Sequence, residues 1–227
     1  MSHSLAILCH SKDENRNILD EFFDGLQRFA PSSIPVYLTT ENTPYSRNDR
    51  TFGHGITNIL TGDGLWSTRL RKGLESIPED NILFFLEDMI VKSWNHELFN
   101  QVVDFHISND NDSTKFGNDV YFDSSLIDMT IGNFRIMEHI GRLYRLSHQP
   151  TTLFKKSFLV DTIQEDVTPW EYECSISNKL VAGEFGKRKT FIVGSNPPPV
   201  HSPGSKHGEI IEYHHALMRG KRIQYNG

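Results

Sequence analysis

Two adjacent carboxylates, Glu87 and Asp88, interrupt the apolar stretch LFFLEDMIV at residues 83–91. A buried carboxylate costs free energy unless a positive group offsets its charge. A divalent cation, a buried arginine or a strand end that opens into a cleft would each remove that cost. Side chains alternate along a strand, so one carboxylate can face a cleft only where the strand ends or bends. The stretch predicts either a ligand-binding cleft or a strand-end carboxylate that caps a helix or pairs with arginine.

A second pair of acids, Glu171 and Glu173, lies in the segment PWEYE, just after Pro169. Proline favours the first turn of a helix, and the helix dipole favours anions there. Simple charge complementarity at the helix start accounts for both residues. Alternatively, one of them is a general base that removes a proton from an acceptor hydroxyl.

The C-terminal segment contains histidines and basic residues that could bind metal or phosphate. His201 lies in a Pro/Gly-rich stretch and is a candidate metal ligand. His214 and His215 would point in different directions on a helix and could not form a pair on one face. Arg219 and Lys221 could bind phosphate, or they could belong to a solvated basic tail.

Composition limits the class of protein. The 227 residues carry a net charge of −6 and a pI near 6.0, without the overall basic footprint of a nucleic-acid binder. The two cysteines are far apart, which favours a reducing compartment and argues against a zinc site. No apolar run reaches the roughly 20 residues of a transmembrane segment, and the N-terminus lacks signal-peptide features. We therefore expect a cytoplasmic protein.

Known motifs of several enzyme classes are absent from the sequence. It contains no GxxxxGK[ST], GxGxxG, GxSxG or HExxH segment. Their absence weakens assignment as an ATPase, a dehydrogenase, an α/β-hydrolase or a zinc protease.

The order of apolar segments predicts an α/β fold. A strand (SLAILCHS), a helix ending near Phe29 and a second strand (IPVYLTTEN) form a β-α-β opening, which implies parallel strands. Residues 42–64 are predicted as a long loop, 65–77 as a helix and 82–92 as a strand. The prediction continues with a helix over about 95–106 and an exposed loop over 108–119. It ends with a last strand at KTFIVGS and a closing helix or extended tail from 210. Together they indicate one α/β domain.

The succession LAILCHSKDEN, PVYLTTE, LWSTRL…LFFLEDMIV, YRLSHQPTTLFKKSFL, PWEYE and ALMRGKR resembles small GT-A-type glycosyltransferases. That group includes bacterial surface-polysaccharide enzymes and some viral enzymes. The similarity covers nearly the whole chain and is weakest over residues 42–64 and 106–130. It implies a single Rossmann-like domain over 1–227 with a mixed, mainly parallel central sheet flanked by helices. About 1–92 would form the nucleotide-binding half and about 93–227 the acceptor and catalytic half.

The resemblance also implies roles for particular residues. Glu87-Asp88-Met89 occupies the place of the metal-binding DxD motif of such enzymes but lacks its final carboxylate. Asp88 would contact Mn²⁺ or Mg²⁺, and Glu173, in preference to Glu171, would be the base. The other implied donor contacts are His10, Thr39, Thr40, Glu41, Arg69, Glu87, Arg219 and Lys221.

The implied activity is transfer of a sugar from a nucleoside-diphosphate donor, with a UDP-sugar as the default, to a glycan or lipid-linked saccharide. A positioned base suits inversion at the anomeric carbon. Three alternatives use the same residues: a non-catalytic nucleotide-sugar-binding module, a metal-dependent nucleotidyltransferase, and a glycosyltransferase for modified bases of viral DNA. The acidic composition makes a DNA acceptor less favoured than a glycan or lipid-linked saccharide.

Overall fold

The first strands are continuous apolar runs because helices cover both faces of their sheet. The computed structural model describes residues 5–46, 55–117, 124–141, 146, 151–163, 166–195 and 210–216. β1 (Leu5–His10) and β2 (Val36–Thr40) are buried at every position. Strands that are buried on both faces need such runs rather than alternating polar and apolar residues.

The main sheet is mixed and contains nine strands of the described residues. Besides β1 and β2 these are β3 (Ile56–Leu60), β4 (Asn81–Leu86), β6 (Ser113–Phe116), β7 (Ser124–Ile131), β8 (Phe134–His139), β9 (Thr152–Lys155) and β10 (Thr190–Ser195). Their order across the sheet is β3-β2-β1-β4-β9-β6-β10-β8-β7. The β1–β2, β1–β4, β2–β3 and β6–β10 pairs are parallel. β9 is antiparallel to β4 and β6, and β8 is antiparallel to β10 and β7. Among these strands only β8 and β9 therefore oppose the rest, which confirms the predicted mixed, mainly parallel sheet.

Helices flank this sheet on both faces. α1 (Arg16–Phe29) and α3 (His96–Ser108) contribute side chains to one hydrophobic cluster. α2 (Trp66–Glu75), α4 (Lys156–Thr162) and a last helix contribute to the cluster on the opposite face. The last helix consists of α5 (Pro169–Glu171), a π-helical segment (Tyr172–Ile176) and α6 (Ser177–Val181). In the parts of the chain described, no helix is long and apolar enough to cross a bilayer.

Two predicted loops contain strands. The stretch 108–119, predicted as an exposed loop, contains β6, whose four residues are all buried. β6 lies between β9 and β10 inside the sheet, where elements packed on the faces, such as α3 against Thr114, bury its side chains. The stretch 42–64 contains β3, a half-exposed strand at the edge of the sheet. Both predictions were wrong because neither strand carries an apolar run.

The predicted strand 82–92 is two strands separated by a turn. β4 ends at Leu86 in the main sheet, and β5 (Met89–Trp94) pairs antiparallel with β11 (Ile211–His215) in a separate two-stranded sheet. The prediction left open a closing helix or an extended tail from 210. The described part of that segment is the strand β11, so it is not a helix, and KTFIVGS is not the last strand. Glu87 and Asp88 form the turn between the two sheets, which is how two carboxylates fit inside an apolar run.

Candidate active site

A cleft of about 610 Å³ opens where β1, β2 and β4 end. Ligands of open α/β sheets bind beyond the carboxyl ends of the strands, so this is the expected place for a substrate. Residues from five parts of the chain line it, including His10, Glu41, Arg69, Glu87, Asp88 and Pro169. Five of the residues predicted to bind donor or metal therefore share one cleft.

The turn places Glu87 against the start of α1. Its side chain is 5% exposed, and its Oε1 accepts a hydrogen bond from Asn15 Nδ2. Burial raises the pKa of Glu87 to about 7, and the nearby charge of Asp88 adds to the rise. The bond from Asn15 opposes the rise without cancelling it. Glu87 can therefore change its protonation state near neutral pH.

Asp88 faces the second sheet. Its Oδ2 lies 3.1 Å from His215 Nδ1, and its backbone oxygen accepts the N–H of Ala216 at 2.7 Å. Its Oδ1 is buried and has no hydrogen-bond partner among the described residues. Leaving a buried carboxylate oxygen unpaired is costly, which suggests that another group completes its coordination.

Asp88 Oδ2 and His215 Nδ1 contact each other as a hydrogen bond or ion pair, and the same two atoms would be spaced to hold a divalent cation instead. Two ligand atoms that bind one octahedral ion at about 2.1 Å are roughly 3 Å apart, close to the observed separation. The described residues contain no group of three or more His, Cys, Asp and Glu side chains arranged to hold a metal. An ion held by these two side chains would take its remaining ligands from water and substrate phosphate, as Mg²⁺ commonly does.

Arg69 joins the three loops that form the other wall of the cleft. Its side chain is 1% exposed and donates from Nη2 to the backbone oxygen of Ser11 and from Nε to Thr61 Oγ1 at 3.2 Å. Its Nη1 lies 3.5 Å from Glu41 Oε1. Arg69 therefore holds the loops after β1, β2 and β3 together, which orients Glu41 in the cleft.

Asp13 fixes the loop after β2. Its carboxylate accepts the backbone N–H groups of Glu41 at 3.1 Å and Asn42 at 3.2 Å, and the hydroxyl of Thr43 at 2.9 Å. In return, Glu41 Oε2 accepts the N–H of Asp13 at 3.1 Å. These reciprocal bonds hold the Glu41 carboxylate in place before any ligand arrives.

The two threonines predicted to bind the donor, Thr39 and Thr40, contact residues of the cleft and its loops instead. Thr39 Oγ1 lies 2.6 Å from His10 Nδ1, and the His10 ring meets the Trp66 ring edge-on, with centroids 5.6 Å apart. Thr40 bonds to Thr43 and Thr61 within the loops. Both threonines are fully buried and do not line the cleft, so they position His10 and the loops.

The helix-start acids lie beside the cleft and do not line it. Glu171 forms a capping box: its Oε2 accepts both the N–H and the hydroxyl of Thr168 at 2.8 Å. These bonds lower the pKa of Glu171. Glu173 is half-buried in the π-helical segment that follows. Thr168 and Pro169 line the cleft, so the helix begins at the site, and the catalytic roles of both acids stay predictions.

Three predicted residues, His201, Arg219 and Lys221, lie outside the described residues. Conversely, sequence reasoning missed the roles of Asp13, Asn15 and His215. Asp13 and Asn15 follow β1 directly, a position that could have marked them. His215 could have been found only with β11 recognised as a strand, because a strand directs it and His214 to opposite sides.

Comparisons with known proteins give similarity of fold. No family model and no curated protein matches the sequence. Residues 1–349 of TarS from S. aureus align with a TM-score of 0.47 and 13% identity, over 84% of this chain and 57% of that one. TarS has also been solved with UDP and with UDP-GlcNAc.

Two further structures align equally distantly. Bifunctional IspDF from Campylobacter jejuni has a TM-score of 0.47 and 13% identity, over 84% of this chain and 49% of that one. CMP:2-keto-3-deoxy-manno-octonic acid synthetase complexed with CTP has a TM-score of 0.48 and 11% identity, over 88% and 94%. The chain thus spans less than two thirds of the TarS fragment and about half of IspDF.

Proposed function

We propose that the cleft binds a nucleoside-diphosphate sugar and that the protein transfers the sugar to a hydroxyl of a glycan or lipid-linked saccharide. The observation that carries this proposal is the turn between β4 and β5. It places Asp88 in the cleft beyond the ends of the parallel strands, with one buried oxygen that has no partner among the described residues and the other beside His215 of β11. A diphosphate bound there would need its charge neutralised.

The preorganised wall of the cleft supports a nucleotide as ligand. Glu41 presents a fixed carboxylate, and a carboxylate can accept the ring N–H of uracil or guanine. Cytosine and adenine instead present an unprotonated ring nitrogen beside their amino group. A UDP-sugar is the first donor to test.

A bound Mn²⁺ or Mg²⁺ would stabilise the leaving diphosphate electrostatically. Asp88 and His215 would hold the ion, with His201 as a further proposed ligand. Arg219 and Lys221 are proposed to bind the diphosphate as well.

Glu173 is our proposed general base. Glu171 already accepts two hydrogen bonds from Thr168, and Glu173 lies two residues further along the helix that begins at the cleft. A base on the acceptor side would suit inversion. An NMR assignment of the product with the donor's own anomeric configuration would rule inversion out.

Thermal unfolding with UDP, GDP, CDP, dTDP and ADP, each with and without Mn²⁺, tests donor binding. A ligand that binds only the folded chain at 100 times its Kd adds about 2.7 kcal/mol of stability. We expect one diphosphate to act strongly and to need Mn²⁺. Asp88→Asn should remove the metal-dependent part, whereas Asp24→Asn, at an exposed carboxylate of α1, should keep it.

Turnover assays separate the alternatives. Consumption of a nucleoside triphosphate with release of pyrophosphate would identify a nucleotidyltransferase that uses the same acidic turn. Donor binding without turnover by the wild-type chain would indicate a binding module. Loss of turnover in Glu173→Gln, with donor binding kept and Glu171→Gln active, would support Glu173 as the base. Sugar transfer to duplex DNA at low salt would replace the glycan acceptor.

A further inference from the structure

A second cleft, of about 460 Å³, lies at the other end of the strands of the main sheet, next to the start of β4. It is bounded by the start of β4, the end of α3 and the start of α4. β4 runs from this cleft to the active-site cleft, a distance of about 17 Å at 3.3 Å per residue. The volume falls within the range of small-ligand sites, and the proposed sugar transfer uses none of its residues.

Two neutral polar side chains, His106 and Asn111, line this cleft, and each is 1% exposed. His106 Nδ1 bonds to Thr114 Oγ1 at 3.0 Å, and Asn111 Nδ2 to the Phe105 oxygen at 3.4 Å. Their other polar atoms, His106 Nε2 and Asn111 Oδ1, are buried without partners in the described part of the chain. Burial lowers the pKa of His106 to about 3, so its ring is uncharged at neutral pH.

The charged groups at the rim are already paired. Lys155 Nζ lies 2.6 Å from Asp110 Oδ1, and Asp161 Oδ2 accepts from Arg188 at 3.0 Å. Lys156 donates to the backbone oxygen of Ile77 at 2.7 Å. A free anion or cation would have to compete with these contacts. A hydroxyl both donates and accepts, so it can join a pair without displacing either charge.

Apolar side chains complete the lining. Ile107 and Val160 are half-buried and line the same cleft as the polar groups. The cleft therefore combines neutral buried polar atoms, paired rim charges and aliphatic surface. A sugar ring matches this combination, with hydroxyls at its edge and C–H groups on its faces.

We propose that this second cleft binds a neutral sugar unit of a glycan, at a site separate from the transfer cleft. A hydroxyl can satisfy His106 Nε2 in either tautomer, because it can donate to that nitrogen or accept from it. If the glycan is also the acceptor, binding here would raise its effective concentration at the enzyme. The site itself does not depend on the transfer reaction.

NMR titration of the ¹⁵N-labelled 227-residue chain tests the site. The probes are glucose, galactose, mannose and N-acetylglucosamine, each raised to about 50 mM because single-sugar sites are weak. At least one sugar should shift the Asn111 side-chain amide and the backbone amides of 106–111 and 155–157 saturably. Sodium phosphate and MgCl₂ should leave them unchanged.

Ser157→Trp is the blocking variant, because Ser157 is exposed and lines the cleft. It should weaken sugar binding at least about tenfold and leave nucleotide-induced stabilisation unchanged. Ser33→Trp, at an exposed turn before β2, is the control and should bind sugar like the wild type. Asp110→Asn checks the result in case the tryptophan disturbs folding; asparagine tolerates the positive φ of 51° there. Asp110→Asn should also weaken sugar binding, because it removes the carboxylate that pairs with Lys155 at the rim of the cleft.

Three outcomes overturn the proposal. They are no saturable shift with any of the four sugars, shifts that survive Ser157→Trp, and saturable shifts with phosphate or Mg²⁺ in place of sugar. None of them bears on nucleotide binding at Asp88, which the thermal panel measures separately.

Discussion

Glu87 is the residue whose burial should be most visible in the pH dependence of stability. Its pKa is raised from 4.5 to about 7, so between these values the folded chain keeps a proton that the unfolded chain has lost. Stability from this group is therefore full below about pH 4.5 and is lost as pH rises through 7. The total is about 3 kcal/mol.

Glu87→Gln isolates this contribution because glutamine does not titrate. Urea unfolding of both proteins in EDTA, from about pH 4.5 to 8, gives the difference in unfolding free energy. We expect wild-type stability to fall relative to the variant by up to about 3 kcal/mol across that range. Parallel pH profiles would show that Glu87 ionises normally in the folded chain.

His215 is expected to act on metal affinity, and its neighbour supplies a matched control. His215 Nδ1 lies 3.1 Å from Asp88, whereas His214 Nε2 lies 3.6 Å from Glu21 on α1. His215→Ala should weaken Mn²⁺ binding at least about tenfold, and His214→Ala should leave it near the wild-type value. Calorimetric titration of Mn²⁺ in the presence of UDP measures both. Equal affinities in the two variants would remove His215 from the proposed metal site.

At the scale of elements, the contact of α2 with β2 sets the position of His10. A Cβ on Gly73 would lie 2.5 Å from Thr39 Cγ2, so only glycine allows this approach. Thr39 holds His10 through the bond between Oγ1 and Nδ1. A methyl group at Gly73 should therefore push Thr39 and disturb the wall of the active-site cleft.

Gly73→Ala should lower the unfolding free energy by about 1–3 kcal/mol, despite the better helix propensity of alanine, and weaken diphosphate binding. Thr39→Ser in the same chain removes the colliding methyl and keeps the hydroxyl, so the double variant should recover both properties. Glu75→Ala, exposed on α2, should change stability by less than about 0.5 kcal/mol. Denaturant unfolding and the thermal panel test this, and a double variant no better than Gly73→Ala would contradict the steric explanation.

The sequence predicted correctly the helices and strands whose own apolar residues form a recognisable pattern. β1, β2, α1, α2 and α3 were recognisable because apolar residues run continuously or recur at helical spacing. β6 was missed because STKF has no apolar run and its burial comes from its position inside the sheet. The break after β4 was missed because both flanking strands are apolar, so no change of pattern marks the turn.

The candidate active site was likewise predicted only in part from the sequence. Glu87 and Asp88 could be proposed because they interrupt an apolar run, whereas Glu41 and Arg69 were implied by the family resemblance. The structure brings all four into one cleft. The pairing of Asp88 with His215 joins positions 127 residues apart through β11. Such a contact depends on strand pairing between distant segments, which one sequence does not reveal.

At the scale of the whole molecule, the two hydrophobic clusters lie on opposite faces of one sheet, and both draw residues from either side of position 92. The first includes Ile7 and Val193, and the second includes Leu8 and Leu180. Neither half can bury its own side chains without the other. We therefore expect residues 1–227 to unfold as one cooperative unit.

The three tryptophans allow this to be tested one face at a time. Trp94 is buried in the first cluster and Trp66 in the second, while Trp170 is largely exposed. In a Trp170→Phe background, Trp66→Phe leaves Trp94 as the only fluorophore, and Trp94→Phe leaves Trp66. Each variant should show coincident urea transitions by fluorescence and by far-UV circular dichroism, because both faces share every strand from β1 to β4.

Because the two probes are compared within one protein, any loss of stability from the Phe substitutions moves both curves together and does not affect the result. A fluorescence midpoint that differs from the circular dichroism midpoint in either variant would show that one face opens separately. The active-site cleft would then lie beside a unit that unfolds before the rest. A nucleotide bound at the proposed site would then raise the midpoint of the unit that contains the cleft and leave the other midpoint unchanged.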